Sequence, residues 1–433
     1  MPNDTDFAVE RREAGALDAA DSLAPLAQRF RMPSARGAEL YFCGHSLGPQ
    51  PTDAAARVEA ELGCWAEAGV EGHFRERRPW ADYDEPLVAA TARLAGAERD
   101  EVAVMHSLTV NLHLMLASFY RPRGERVRIL MERPAFPSDR YAVVSQIEWH
   151  GLRAEEALVE VGPRPGEGAI RMEDVIAGIE REGARLALVL LGGANYYNGQ
   201  ILDAVACTRA AHAVGALAGF DMAHAIGNVP LQLDAAGADF AVWCGYKYLC
   251  GGPGAPAGCF VNRKHFAGGA TRPRLAGWWG NRADTRFQMR SEFEPAAGAA
   301  GWAVSSPAIL PLAALEAGLA VYDAAPLDAL WSKSRALGAW FDRLANRYLP
   351  GLERLTPRDA AQRGAQVSLL LGEQAAAVQK RLREAGLVCD MRGPVLRLSF
   401  HPLYCGFGQV AEGVERLAAA LGTGRAASAI IAE

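Results

Sequence analysis

The chain has 433 residues, 50% of them hydrophobic and 22% charged, enough to bury two or three domain-sized cores in an ordinary globular protein. A formal net charge of -5 and a pI near 6.1 provide no basic face, which excludes a nucleic-acid partner. Eight cysteines, at positions 43, 64, 207, 244, 250, 259, 389 and 405, form no CxxC pair and no zinc-type spacing with histidine. That usage fits free thiols in a reducing cytoplasm and argues against a disulfide framework or a metal centre. The acidic start MPNDTDFAVERREAGALDAAD is no signal peptide, and no uncharged apolar run reaches about 18 residues, so no membrane span is expected.

In chain order, residues 1 to about 12 read as a loose charged arm, followed by a helix from about Ala14 to Phe30. From Glu39 to Pro51 a short apolar strand breaks into a Gly/Pro turn, after which Thr52 is placed to cap a helix running to about Ala68. The stretch Gly72 to Trp80 is a polar loop holding His73. Beyond Leu87, strand-like runs recur at Val102–Met105, Val127–Leu130, Leu186–Leu191, Leu217–Phe220, Phe240–Trp243 and Gly258–Val261, with helical spacers between most of them. This alternation predicts an α/β fold, a mostly parallel sheet covered by helices on both faces. Pro307 to Tyr348 has helical periodicity broken near Ala325-Pro326. It leads to a small α/β unit made of Val367–Leu371, a helix over Gln374–Ala385, strands near Val388 and Val395, and a last helix over Val410–Leu421. The expected division is an N-terminal arm and site loop over 1–50, a large cofactor-binding domain over 51–310 and a small C-terminal domain over 311–433, frayed after Gly422.

In such sheets ligands sit beyond the carboxyl ends of the strands. After Met105 come His106 and Ser107, where Ser107 can cap a helix whose first N–H groups, at Leu108 and Thr109, can hold a phosphate. After the Ile129 strand comes a turn with Phe136, Ser138 and Asp139. After Phe220 come Asp221 and, about one turn later, His224. After Trp243 come Tyr246, Lys247 and Tyr248, leading into the Gly/Pro-rich run Gly251–Gly258. Each has an ordinary alternative: a plain helix cap, a salt-bridged core pair, a core aromatic, a solvated lysine. The glycine run fits neither a Walker A loop nor G-x-G-x-x-G. Jointly, the elements ask for a ligand with a phosphate, an aromatic face, a basic ring nitrogen and an aldehyde, and pyridoxal 5'-phosphate has all four. Asp221 would keep the ring nitrogen protonated, and Lys247 would carry the aldehyde and then move a proton at Cα.

Tyr41-Phe42 with Ser46-Leu-Gly48, His106-Ser-Leu-Thr-Val-Asn-Leu112, Phe136-Pro-Ser-Asp139, Phe220-Asp-Met-Ala-His-Ala-Ile-Gly-Asn228, Tyr246-Lys-Tyr-Leu249, Gly277-Trp-Trp-Gly280 and Pro402-Leu-Tyr404 resemble kynureninase. The resemblance implies the fold of fold-type-I pyridoxal-phosphate enzymes and a homodimer acting on a small amino acid. It implies hydrolysis of L-kynurenine, or a 3-hydroxy or ring-alkylated relative, to L-alanine and an anthranilate, in tryptophan catabolism or a specialised pathway derived from it. It assigns Leu108, Thr109, Phe136, Ser138, Asp139, Asp221, His224, Tyr246, Lys247, Trp278 and Ser306 to the cofactor, with Lys247, Tyr246 and Asp221 catalytic. Ser46, His73, Ser306 and Arg397 fall to the substrate, Arg397 clamping its α-carboxylate. The sequence departs from the family pattern at Ser306, Cys250 and His45, where asparagine is common, so the ring substituents of the substrate stay open. A cysteine desulfurase-like lyase of the same superfamily and a non-catalytic α/β ligand-binding protein are the competing readings.

Overall fold

The computed structural model describes residues 6–34, 40–74, 78–267 and 272–422. Its central sheet has seven strands: β1 (Val102–Met105), β2 (Arg128–Glu132), β3 (Leu158–Val161), β4 (Leu186–Gly192), β5 (Leu217–Asp221), β6 (Phe240–Trp243) and β7 (Ala257–Val261). Their order across the sheet is β1-β7-β6-β5-β4-β2-β3. The β2, β3, β4, β5 and β6 pairings are parallel, whereas β7 runs antiparallel to both β1 and β6. All strands but β7 therefore deliver their carboxyl ends to one edge of the sheet. A strand at Leu158–Val161 was not expected from the sequence, since only Val161 of its four residues is buried and the apolar signal is correspondingly thin.

Burial on both faces explains why these strands read as continuous apolar runs. Leu130, Val189, Leu191, Phe220 and Trp243 face one core, while Ile129, Met131, Leu188, Leu190, Phe240 and Val242 face another. Burying a side chain of this size contributes roughly 1.5–3 kcal/mol. Two glycines make room for the largest rings. A Cβ on Gly219 would lie 2.2 Å from the Phe240 ring opposite it in register, and one on Gly258 would lie 2.3 Å from the Trp243 indole.

A four-stranded antiparallel sheet built from residues 353–354, 366–370, 390–392 and 395–399 forms the C-terminal unit, backed by the helices Ala375–Glu384 and Phe407–Leu421. Its core also takes in Phe7, Ala14, Leu40 and Phe42 from the start of the chain and Leu337, Phe341 and Leu344 from the helix Leu327–Tyr348. Residues 6–12, expected to be a loose arm, belong to the helix Asp6–Ala20. Phe7 stacks on Tyr348 with ring centroids 4.0 Å apart and Ala14 is buried two turns later; between them Arg11, Arg12 and Glu13 face outward, while Glu10 is buried and pairs with Arg347 at 2.7 Å. Asp18 then accepts from the backbone N–H groups of Phe407 and Gly408, at 2.7 and 2.9 Å, tying this helix to the last one. The second helix begins at Ala54 with Asp53, not Thr52, at its N-cap position, and Gly69–His73 is a short 3-10 helix instead of open loop. The proposed start at Glu39, the middle of the His73 loop at 75–77 and the C-terminal fray at 423–433 lie outside the described residues. No single helix among the described residues is long and apolar enough to cross a membrane.

Candidate active site

At the end of β1, His106 turns with φ 46° before Ser107 takes the N-cap position of the helix Leu108–Phe119. The Ser107 hydroxyl makes no capping bond, which leaves the first N–H groups of the helix available to an external anion. The helix Pro137–Trp149 starts beside it, and Ser138 Oγ meets Thr109 Oγ1 at 2.9 Å. Two helix N-termini and two hydroxyls thus converge on one point.

From there a single cavity is lined by Leu108, Thr109, Phe136, Ser138, Asp139, Asp221, His224, Tyr246 and Lys247. Nine of the residues singled out from sequence are brought together by four successive chain segments. Lys247 is 9% exposed, and its Nζ lies 3.1 Å from His224 Nε2 and 5.7 Å from the Phe136 ring centroid. Its turn is pinned on several sides: Gly48 N donates to Tyr246 O, Cys250 N to Lys247 O and Gly251 N to Gly245 O, all at 2.9–3.0 Å. Cys250 itself sits at φ 56°, a left-handed conformation that asparagine tolerates better than most residues, a backbone reason for the asparagine common there. On the same cavity Asp221 is buried, accepts from Ala223 N at 2.7 Å and lies against Asp139.

Burial dominates the electrostatics. It holds His224 well below its usual range, with the Lys247 cation adding to the effect, so the imidazole is neutral. It raises the Tyr246 phenol, which therefore keeps its proton at neutral pH. Asp139 is pushed well above the carboxylate range by burial and then by the charge of Asp221. Glu132, at the end of β2, was missed in the sequence although the strand-end rule points to it. Both its oxygens lie 3.1 Å from Gly192 N, and burial raises it to about 7.

Beside this cavity lies a second group of residues. Arg397, 1% exposed, donates through Nη1 to Tyr196 O at 2.6 Å, and through Nη2 to Ser46 Oγ at 3.3 Å and to Asp390 Oδ2. Ser46 also hydrogen-bonds Asp390 Oδ2. Arg397 Nε is buried without a partner, so the guanidinium keeps one unanswered N–H donor. At 1% exposure Arg397 is no solvated surface arginine. Asp390 had no signal in the sequence, because it reaches Arg397 only through the hairpin that sets the two opposite each other in register. Cys43, His45 and Asp390 bring a thiol, an imidazole and a carboxylate within 4.8 Å of one another. Arg392 and Arg397 already share the carboxylate, and this positive surround disfavours a metal cation there.

Three of the expected residues stand apart within one chain. Trp278 is 47% exposed and packs edge-on against Phe287 at 5.4 Å, which in turn meets Phe74 at 5.0 Å beside His73. Ser306 is exposed on a separate cleft with Trp279 and Arg286. None of the three lines the Lys247 cavity.

The C-terminal unit at residues 330–417 matches the family model described as Kynureninase C-terminal domain. A protein named kynureninase from Myxococcus xanthus (strain DK1622) is 47% identical over 405 residues, covering 93% of this chain and 95% of the relative. The chain belongs to the kynureninase family. Its kynureninase relative from Koribacter versatilis (strain Ellin345) is 46% identical, covering 96% of this chain and 97% of that one. Among solved structures, a C-DES variant with glycine covalently linked to its PLP cofactor superposes with a TM-score of 0.74 at 18% identity, covering 88% of this chain and 96% of that one. The cysteine desulfurase CsdA from Escherichia coli gives 0.74 at 16%, covering 93% and 98%. At such identities these last two speak for the fold, that of fold-type-I pyridoxal-phosphate enzymes, and leave the kynureninase assignment to the relatives.

Proposed function

We propose that this kynureninase-family enzyme uses pyridoxal 5'-phosphate to hydrolyse L-kynurenine, or a ring-substituted kynurenine, to L-alanine and an anthranilate. The observation that carries the reading is the convergence of a buried lysine, a strand-end aspartate and two open helix N-termini on one cavity, with a buried arginine beside it.

The residues present fit the cofactor. The uncapped helix start at Leu108, with the Thr109 and Ser138 hydroxyls, forms a cradle suited to a phosphate ester. Asp139 Oδ1, buried without a partner, and Asp221 give the same cavity acidic groups for a basic ring nitrogen. Bound there, pyridoxal phosphate would supply an aldehyde that condenses with an amine and a ring that accepts the electrons released at Cα and then at Cβ. Phe136 offers an aromatic face, and Asp221 a fixed negative charge.

The chain's own groups divide the remaining work. Arg397, whose Nε has no partner, anchors the substrate α-carboxylate, and Ser46 lies at the same guanidinium. The Lys247 amine, once released, moves the Cα proton, with the neutral His224 ring 3.1 Å away to accept a hydrogen bond from it. Tyr246, whose phenol burial keeps protonated, is the acid suited to the ketone oxygen as water adds and the Cβ–Cγ bond breaks.

The enzyme works as a homodimer in which the exposed face carrying His73, Trp278 and Ser306 is lent to the site of the second copy. What supports this is that the aromatic row Trp278–Phe287–Phe74 is exposed in one chain while the family pattern gives these positions ligand roles. A reducing cytoplasmic setting suits its eight free cysteines. Ser306, shorter than asparagine, leaves room for a ring substituent. The test is kcat/KM for kynurenine, 3-hydroxykynurenine and a ring-alkylated kynurenine, in wild type and Ser306→Asn. A shift of the ratios towards the unsubstituted ring in the variant supports the reading; unchanged ratios overturn the role of Ser306. Sulfide from cysteine with no anthranilate from kynurenine would reassign the chain to the desulfurase-like lyases.

A further inference from the structure

His45 is the one departure from the family pattern that falls between the carboxylate subsite and the lysine. It is fully buried, and neither ring nitrogen has a hydrogen-bond partner. Its Nε2 lies 3.8 Å from Asp390 Oδ2, too far for a hydrogen bond, and its ring centroid lies 6.4 Å from that of His224. The tight turn that carries it is closed by Ser46 N and Leu47 N donating to Cys43 O, which fixes the backbone and leaves the ring its side-chain torsions to close the last fraction of an ångström to Asp390. A buried polar ring without partners is costly, and such a ring aimed at an ion pair points to a state of the site in which it is satisfied.

The charges around it define that state. Asp390 is shared by Arg392, Arg397 and Ser46. The ring also feels Lys247 and packs near His224, while Cys43 stays a neutral thiol because burial raises it to about 11. When a substrate carboxylate docks on Arg397, whose Nε has no partner, a second anion arrives beside Asp390, and one guanidinium then answers two carboxylates. Asparagine at position 45 can offer a hydrogen bond but no charge.

We propose that His45 is a positioning residue for the α-carboxylate subsite: as the carboxylate engages Arg397, the His45 imidazole takes one proton from solvent and donates it in a hydrogen bond to Asp390. The carboxylate of Asp390 is thereby kept in place beside the incoming anion, and the net charge of the subsite is unchanged by binding. This rests on Arg397 being the carboxylate anchor. In the resting site the imidazole is held well below 6.5, by burial first and then by Arg397. Because the bound state holds the proton more tightly than the resting one, affinity is greatest at low pH. It falls as pH rises through a window that opens below 6.5 and ends at the higher pKa of the bound state.

The probe is 4-(2-aminophenyl)-4-oxobutanoate, which keeps the carboxylate and the aryl ketone of kynurenine but lacks the α-amine and so cannot react. Its inhibition constant is measured on the holoenzyme across the pH range. Protons taken up per molecule bound are counted by calorimetry in two buffers of different ionisation enthalpy. Wild type should lose affinity by up to about tenfold per pH unit inside the window and take up close to one proton there. His45→Asn should give a flat profile with no uptake, while the cofactor absorbance and melting temperature of the holoenzyme persist. A His45→Asn profile that superimposes on wild type, or a wild-type count of zero, overturns the proposal. The wild-type count decides the matter even if the variant does not fold. Arg397→Gln separates the two layers: a probe that binds it as well as wild type sinks the anchor itself. A tenfold or larger weakening there, with an unchanged His45→Asn profile, sinks only the role of His45.

Discussion

At the floor of the cavity the chain buries two carboxyls besides Asp221, namely Glu132 and Asp139, and the burial of Glu132 has a measurable consequence. Its folded value of about 7 lies above the 4.5 of an unperturbed glutamate, so the folded state binds this proton more tightly than the unfolded chain. The stability it lends is therefore complete below 4.5 and is lost as pH rises through 7, a loss of about 3 kcal/mol at one pKa unit per 1.36 kcal/mol. Glutamine in its place can still accept from Gly192 N without ionising. Glu132→Gln apoprotein should melt higher than wild type at pH 8, with the advantage vanishing at pH 4 to 5; an advantage of equal size at both would refute the assignment. The neighbouring Asp139 is likewise pushed well above the carboxylate range, by burial first and then by the like charge of Asp221.

At the scale of elements, the turn that presents Lys247 is shaped from outside as much as by its own sequence. Gly318, in the helix Ile309–Asp323, lies so close that a Cβ there would stand 2.1 Å from Leu249 O. The Gly318→Ala variant must push helix and turn apart, at a cost of about 1–3 kcal/mol, and should weaken cofactor retention, read by dialysis against apoenzyme absorbance. A variant with wild-type stability and retention would show that the contact is unimportant. The strand ends were legible in the sequence because parallel strands buried on both faces leave continuous apolar runs, and the polar residue that stops each run is the one at the ligand edge. Thr109, Phe136, Asp221 and Lys247 were found that way. Asp390 was not, since its pairing with Arg397 depends on a hairpin register, and the helix Asp6–Ala20 was not, since Phe7 and Ala14 become apolar contacts only once the C-terminal core exists to receive them.

For the whole molecule, the exposed aromatic row Trp278–Phe287–Phe74 predicts a second copy of the chain over that face. Light scattering should give twice the 46.3 kDa of one chain, and Phe287→Asp, which places a charge in the row, should shift the protein towards monomer with most of its activity lost. A fully active monomer would remove the shared site. The sequence could show these aromatics but not their exposure, which is a property of the folded surface. Above all, Lys247 performs kynurenine chemistry in this cavity, and the release of anthranilate from L-kynurenine by the purified holoenzyme, followed by its fluorescence, tests that role most directly. Wild type should release anthranilate and L-alanine in equal amounts, and Lys247→Ala should release neither above the buffer rate. Anthranilate released at the wild-type rate by Lys247→Ala, or none from wild type, would contradict it.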